Sequence, residues 1–173
     1  DHPGLAVGER AQLMLDMLDE TVSSARRIAM DLRPLMLDDL GLPEAIDWLV
    51  KEFKRRTGIE VDIRLGEGMR ELSSQLATAL YRIVQEALTN ITRHAQASRV
   101  SITLKGSDHE LQLTIQDNGV GFIQGGHARN PGSFGLLGIR ERVLMLGGRL
   151  SAGNAPEGGA RLVVHVPLAQ PSA

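Results

Sequence analysis

The chain has 173 residues, 42% hydrophobic and 23% charged, with a formal net charge of −2. That is enough for one compact domain plus an extra element, and it carries no basic field that would draw nucleic acid. Cysteine is absent and aromatic residues make up 3%, which excludes disulfides, Cys-zinc sites and thiol catalysis and argues against base-stacking platforms for single strands. No apolar run of about 18 residues or more is present, and no signal peptide is visible. The lack of cysteine fits a reducing compartment. The opening Asp1-His2-Pro3-Gly4 reads as a cut into a longer protein.

The first expected element is a helix from Glu9 to Leu32. Ala11, Leu15, Leu18, Val22, Ala25, Ala29 and Leu32 step by 4, 3, 4, 3, 4, 3, a heptad seam that asks for a partner helix. Met14, Met17 and Ile28 widen the stripe, which suits a bundle better than a strict two-stranded coil, and the helix's place before the α/β part favours a helical hairpin or dimer stalk. A helix packed on its own domain is the plainer alternative. Pro34 breaks it. Leu40-Gly-Leu-Pro-Glu-Ala turns into a second helix over Pro43–Arg56, with Ala45, Ile46, Leu49, Val50 and Phe53 as its buried face and Gly58 as its stop. Ile59, Val61, Ile63 and Leu65 alternate with polar residues as a half-buried strand.

Ser73 or Ser74 caps a third helix running to Ala95, whose apolar face is Leu76, Leu80, Ile83, Val84, Ala87, Leu88 and Ile91. Val100, Ile102 and Leu104, then Leu111, Leu113 and Ile115, mark two antiparallel strands. Phe122–Ser133 has no apolar period and reads as a long, functional loop. A helix over Leu136–Leu146, strands at Arg149–Ala152 and Ala160–Pro167, and a disordered tail over 170–173 complete the chain. The expected fold class is α+β: a two-layer sandwich with a mixed, mostly antiparallel sheet, helices on one face and water on the other.

Three stretches carry candidate chemistry. Glu86 and Asn90 lie four apart and share a helix face, with Arg82 one turn before and Arg93 and His94 continuing the stripe. Taken alone, they are better accounted for by a solvated polar face with an Arg82–Glu86 pair. Yet Asn is a poor mid-helix residue, an amide oxygen suits Mg²⁺, and a carboxylate one turn away can polarise an attacking group. Arg93 and His94 are fit to meet phosphate oxygens. Asp117-Asn-Gly-Val-Gly121 ends a strand pattern. Its Asn-Gly is a strong hairpin signal, but no returning strand follows. A carboxylate there can accept from an exocyclic amine, and glycines let backbone approach a flat ring. Gly132, Gly135 and Gly138 straddle a helix start, where backbone N–H groups bind phosphate, although this spacing alone is weak.

In order, these pieces resemble the nucleotide-binding boxes of sensor histidine kinases. Glu86…Asn90-Ile-Thr-Arg93-His94-Ala95 resembles the N box and Asp117-Asn-Gly-Val-Gly121 the G1 box. Gly135-Leu-Leu-Gly138-Ile-Arg140-Glu141-Arg142 resembles the G2 region of the nitrate-sensor-like subfamily. Gly158-Gly159-Ala160-Arg161 stands where a last glycine motif would lie. Leu32-Arg33-Pro34 and Leu40-Gly41-Leu42 resemble that subfamily's junction between dimerisation helices and catalytic domain. The resemblance implies a Bergerat-type fold over 35–169, shared with gyrase, heat-shock chaperone and mismatch-repair ATPases, preceded over 1–34 by the second helix of a dimerisation hairpin. It implies ATP and Mg²⁺ as cofactors, with Asn90 holding the metal and Glu86 as base or polarising group. Asp117 would read adenine in a pocket shaped by Gly119 and Gly121. Phe122–Ser133 would be the ATP lid, with Arg93, His94, Gly132, Gly135, Leu136 and Gly138 on the nucleotide.

The family's phosphoacceptor histidine, followed by an acidic residue, has no counterpart: only His2 lies upstream and Pro3 follows it. Autophosphorylation of this chain by itself is therefore not expected. The implied partners are a phosphoacceptor helix, a response regulator and, at full length, a second copy, with no nucleic acid. The implied location is cytoplasmic, with inner-membrane anchoring open for the full-length protein. A different ATPase on the same fold and a non-catalytic nucleotide-binding or dimerisation module are the competing readings.

Overall fold

Pro43 starts helix α1 (Leu42–Thr57) where its missing N–H costs nothing. Leu42, Ala45, Ile46, Val50 and Phe53 fall on one stripe and are buried. Gly58, at φ 71°, closes the helix by donating its N–H to the Lys54 carbonyl at 2.9 Å, a left-handed cap that a residue without Cβ takes at no steric cost. The computed structural model describes residues 37, 40–66, 72–107, 109–122 and 133–168, within a unit spanning Leu35–Ala173. The expected helix over 9–32, the loop over 123–132 with Gly132, and the tail over 170–173 lie outside the described residues.

Strand β1 (Glu60–Leu65) follows α1. Helix α2 (Ser74–Asn90) is capped by Ser73, whose Oγ accepts from Leu76 N at 3.4 Å. The next strands are β2 (Arg99–Gly106) and β3 (Glu110–Asp117), followed by helix α3 (Ser133–Met145) and strands β4 (Arg149–Asn154) and β5 (Ala160–Pro167). They form one sheet in the order β1-β2-β3-β5-β4, parallel only between β1 and β2. A parallel pair needs a long crossover, which α2 supplies.

Alternation decides which face is wet. Val100, Ile102 and Leu104 of β2, Leu111, Leu113 and Ile115 of β3, and Val164 and Val166 of β5 are all buried. They form one core with Leu80, Ile83, Val84 and Leu88 of α2 and Ile139 and Val143 of α3. Each fully buried aliphatic side chain in this layer contributes about 1.5–3 kcal/mol. The intervening residues, such as Thr103, Gln112, Thr114 and Gln116, remain partly exposed. On that open face Glu110 accepts from Arg149 at 2.8 Å and pairs with His165 at 3.0 Å. The His165 hydrogen bond first, and the Arg149 charge with it, hold the Glu110 carboxyl below its ordinary value.

The structure departs from expectation at two helix ends. The third expected helix reaches Ala95, but its last turn, Ile91–Ala95, is π-helical. Thr89 and Thr92 return their hydroxyls to the carbonyls of Gln85 and Leu88 at 2.9 and 3.0 Å, bonds that loosen a helix from within. The turn ends at Gln96 in the left-handed region (φ 51°, ψ 34°). Helix α3 starts at Ser133, three residues before the expected Leu136, so Gly135 and Gly138 lie inside the helix. Glycine propensity argues against helix there. The close approach described below is what glycine makes possible.

Candidate functional site

Glu86 and Asn90 emerge half-buried from the last turns of α2, and both side chains point at the backbone of α3. A Cβ placed on Gly135 would strike Glu86 Oε1 and lie 2.8 and 2.9 Å from Asn90 Oδ1 and Nδ2. The missing side chain at 135 thus leaves one small space shared by a carboxylate, an amide and helix α3 close to its N-terminus. Arg82, one turn earlier, is buried at 8% exposure, its Nη1 donating to Gln85 Oε1 at 2.8 Å and its guanidinium 5.9 Å from the Tyr81 ring centre. Burial raises the Tyr81 phenol pKa, partly opposed by the Arg82 charge.

The end of β3 forms the second part. Asp117 is 5% exposed, and its Oδ1 accepts from Gly119 N at 2.8 Å and Ala160 N at 3.2 Å. Asn118 secures the neighbouring strand: its Oδ1 accepts from Ser98 N and Arg99 N at 3.0 and 2.9 Å, and its Nδ2 donates to Ser98 Oγ at 3.0 Å. This rules out the hairpin reading of Asn118-Gly119. A two-residue type I′ turn needs positive φ at both central residues, and neither has it.

Gly119 is required for a different reason. The π turn leaves the Ala95 carbonyl without a helical partner, and it accepts from Val120 N at 2.8 Å. A Cβ on Gly119 would collide with that same carbonyl. The helix carrying Glu86 and Asn90 is thereby bolted to the segment that follows Asp117.

The remaining expected residues are spread around this seam. Gly121 takes φ 71°, and Phe122 is 38% exposed. Arg93 and His94 stand exposed on the π turn. On α3, Leu136 is half-buried, and the Gly138 carbonyl accepts from Arg142 Nη1 at 2.9 Å.

Two residues outside the expected set shape the site. Asn154, at the end of β4, holds the Phe122 backbone on both sides, accepting from its N at 2.6 Å and donating to its O at 3.1 Å. Gly159, at φ 81°, sits so near Asp117 that a Cβ would collide with its carbonyl. The Gly158-Gly159 pair is visible as a motif, but its contact spans about forty residues of chain and leaves no periodic trace. For Asn154 the only local signal is an amide at the end of a strand pattern.

Comparisons with known proteins agree with this architecture. Residues 75–170 match the family described as histidine kinase-, DNA gyrase B- and HSP90-like ATPase. The chain is 40% identical to the signal transduction histidine-protein kinase/phosphatase DegS of Brevibacillus brevis, over 88% of this chain and 39% of that protein. It is 30% identical to the oxygen sensor histidine kinase NreB of Staphylococcus carnosus, over 88% of this chain and 44% of that protein. It thus spans less than half the length of either relative. Among solved structures, the ATP-binding domain of PrrB from Mycobacterium tuberculosis superposes with a TM-score of 0.57 at 28% identity, covering 75% of this chain and 93% of that one. The blue-light activated histidine kinase of Erythrobacter litoralis has the same fold, with a TM-score of 0.69 at 21% identity over 92% of this chain and 60% of that one. The chain belongs to the histidine kinase-, DNA gyrase B- and HSP90-like ATPase family and carries the ATP-binding catalytic domain of a sensor histidine kinase.

Proposed function

We propose that this domain binds Mg-ATP between α2, the end of β3 and α3, and donates its γ-phosphoryl group to a histidine on a dimerisation helix. The observation that carries the reading is the convergence of Glu86 and Asn90 on the bare backbone of Gly135. Asp117 accepts from the adenine amine with the oxygen not taken by Gly119 and Ala160. Gly119 and Gly121 let the backbone lie flat beside the ring, and Phe122 borders it. Gly135, Leu136 and Gly138 line the phosphate side, with Arg93 and His94 as cationic or hydrogen-bonding contacts.

The donors present suit Mg²⁺, which prefers one or two protein oxygens together with phosphates. Asn90 Oδ1 would hold it, and when bound it would neutralise charge on the phosphate oxygens. The protein's own part is positioning and charge stabilisation. Glu86 takes or polarises the imidazole proton while the histidine nitrogen bonds to γ-phosphorus, the bond to the bridging oxygen breaks, and ADP leaves.

In the full-length protein, residues 1–34 would be the second helix of the dimerisation hairpin. The phosphoacceptor helix of the same or the partner subunit, and then a response regulator, would receive the phosphoryl group in turn. No helix among the described residues is long and apolar enough to cross a membrane, and the domain's site of action is proposed to be the cytoplasm.

Supplying γ-labelled ATP to the protein with its phosphoacceptor hairpin tests the proposal. Label on histidine is the expected result. Free phosphate alone would make the domain an ATPase, and binding without turnover would make it a nucleotide-binding module.

Gly135→Ala separates site from scaffold. The three atoms nearest the added methyl are side-chain ends, Glu86 Oε1 and the Asn90 amide, while alanine is a better helix former than glycine by up to about 1 kcal/mol. The urea midpoint should hold or rise while Mg-ATP affinity falls about tenfold, equivalent to about 1.4 kcal/mol of misplaced polar contact. Unaltered affinity by calorimetry would detach Gly135 from the site.

A further inference from the structure

The β4–β5 turn touches the end of β3 and the segment beyond it at three points. Ala160 N donates to Asp117 Oδ1 at 3.2 Å. Gly159 packs on the Asp117 carbonyl without room for a Cβ. Asn154, which pairs with Ala160 across the β4–β5 ladder, clasps both the N–H and the C=O of Phe122.

The third contact differs in kind from the other two. A side-chain amide that satisfies both backbone groups of one residue does what a neighbouring strand would do, and it does so 32 positions away in sequence. Gly121, directly before, takes φ 71°, and a Cβ there would lie 2.7 Å from Asn154 Oδ1. Glycine at 121 makes the segment loose, and the amide at 154 removes that freedom. The clasp is on the surface, where water would serve both partners equally well, so its two bonds supply orientation more than stability.

We infer that Asn154 is a positioning residue for the nucleotide base: it fixes the Gly121–Phe122 backbone beside Asp117 before ATP arrives. The inference rests on reading Asp117 as the group that contacts adenine. A wall ordered in advance spares the ligand the cost of ordering it.

Calorimetric titration of the chain with ATP, ADP and GTP tests this, with Asn154→Ala and Asn154→Asp beside Asp117→Asn. The carboxylate of Asn154→Asp keeps an acceptor for Phe122 N but turns an oxygen toward Phe122 O. Both Asn154 variants should weaken ATP and ADP by the same factor, about threefold to tenfold, and narrow the preference for ATP over GTP, with the urea midpoint little changed. A preference for ATP left intact in Asn154→Ala, while Asp117→Asn abolishes it, would overturn the role of Asn154 alone. A preference intact in Asp117→Asn would overturn the reading of Asp117 instead.

Discussion

Asp117→Asn is expected to weaken ATP binding by about a hundredfold or more while leaving the domain folded. The two oxygens of this carboxylate have different duties. Oδ1 accepts from Gly119 N and Ala160 N, and an asparagine oxygen in the same place keeps both bonds. The other oxygen, proposed to accept from the adenine amine, becomes an NH₂ and would meet it as donor against donor. The loss combines a charge-assisted hydrogen bond of about 1.5–3 kcal/mol with the cost of a donor left unsatisfied on binding. Asp117→Ala is the blunter change. It removes the acceptor for two N–H groups at a position only 5% exposed, so stability falls as well, by about 1–3 kcal/mol for each donor stranded. Calorimetry for affinity and urea denaturation for stability separate the two variants. Parallel losses of binding and stability in Asp117→Asn would count against a base-reading role.

The second large effect belongs to Asn90→Ala. Asparagine ends α2 at a position where alanine is the better helix former by about half a kcal/mol, so a purely structural residue would be replaced at no loss. The amide oxygen is proposed to bind the metal that accompanies the phosphates. The wild-type protein should bind ATP more tightly with Mg²⁺ than with a chelator, and Asn90→Ala should erase that difference with the denaturation midpoint kept or raised. A variant that still gains from Mg²⁺ as the wild type does would move the metal elsewhere.

Periodicity carried the fold a long way. The apolar residues expected on α2, from Leu76 to Leu88, are all buried, as are the alternating residues of β2 and β3, because burying one face leaves a repeat that composition cannot hide. The seam where the nucleotide is proposed to bind is legible in a different way. Glu86, Asn90 and Asp117 stand out as residue types, but their placement depends on contacts with no local signature. The π turn at Ile91–Ala95 is one such contact. It comes with a carbonyl that finds Val120 only because Gly119 lacks a side chain, and no helix pattern announces it. The early start of α3 is another, since two glycines depress its helical propensity while allowing Gly135 to reach Glu86 and Asn90. Asn154 is the clearest omission, an isolated amide whose partner is backbone on a distant segment.

These contacts also explain how separate motifs act as one site. Ala95 joins the helix of Glu86 and Asn90 to Val120, while Ala160 and Asn154 hold Asp117 and Phe122 on either side of it. The proposed base and phosphate contacts would then share one frame, as phosphoryl transfer by positioning requires.

A crystal structure of the chain with Mg²⁺ and a non-hydrolysable ATP analogue is the deciding observation. The adenine amine is expected on the Asp117 carboxylate and the metal on Asn90 Oδ1, with the phosphates running past Gly135. Nucleotide bound away from both Asp117 and Asn90 would contradict the proposed site.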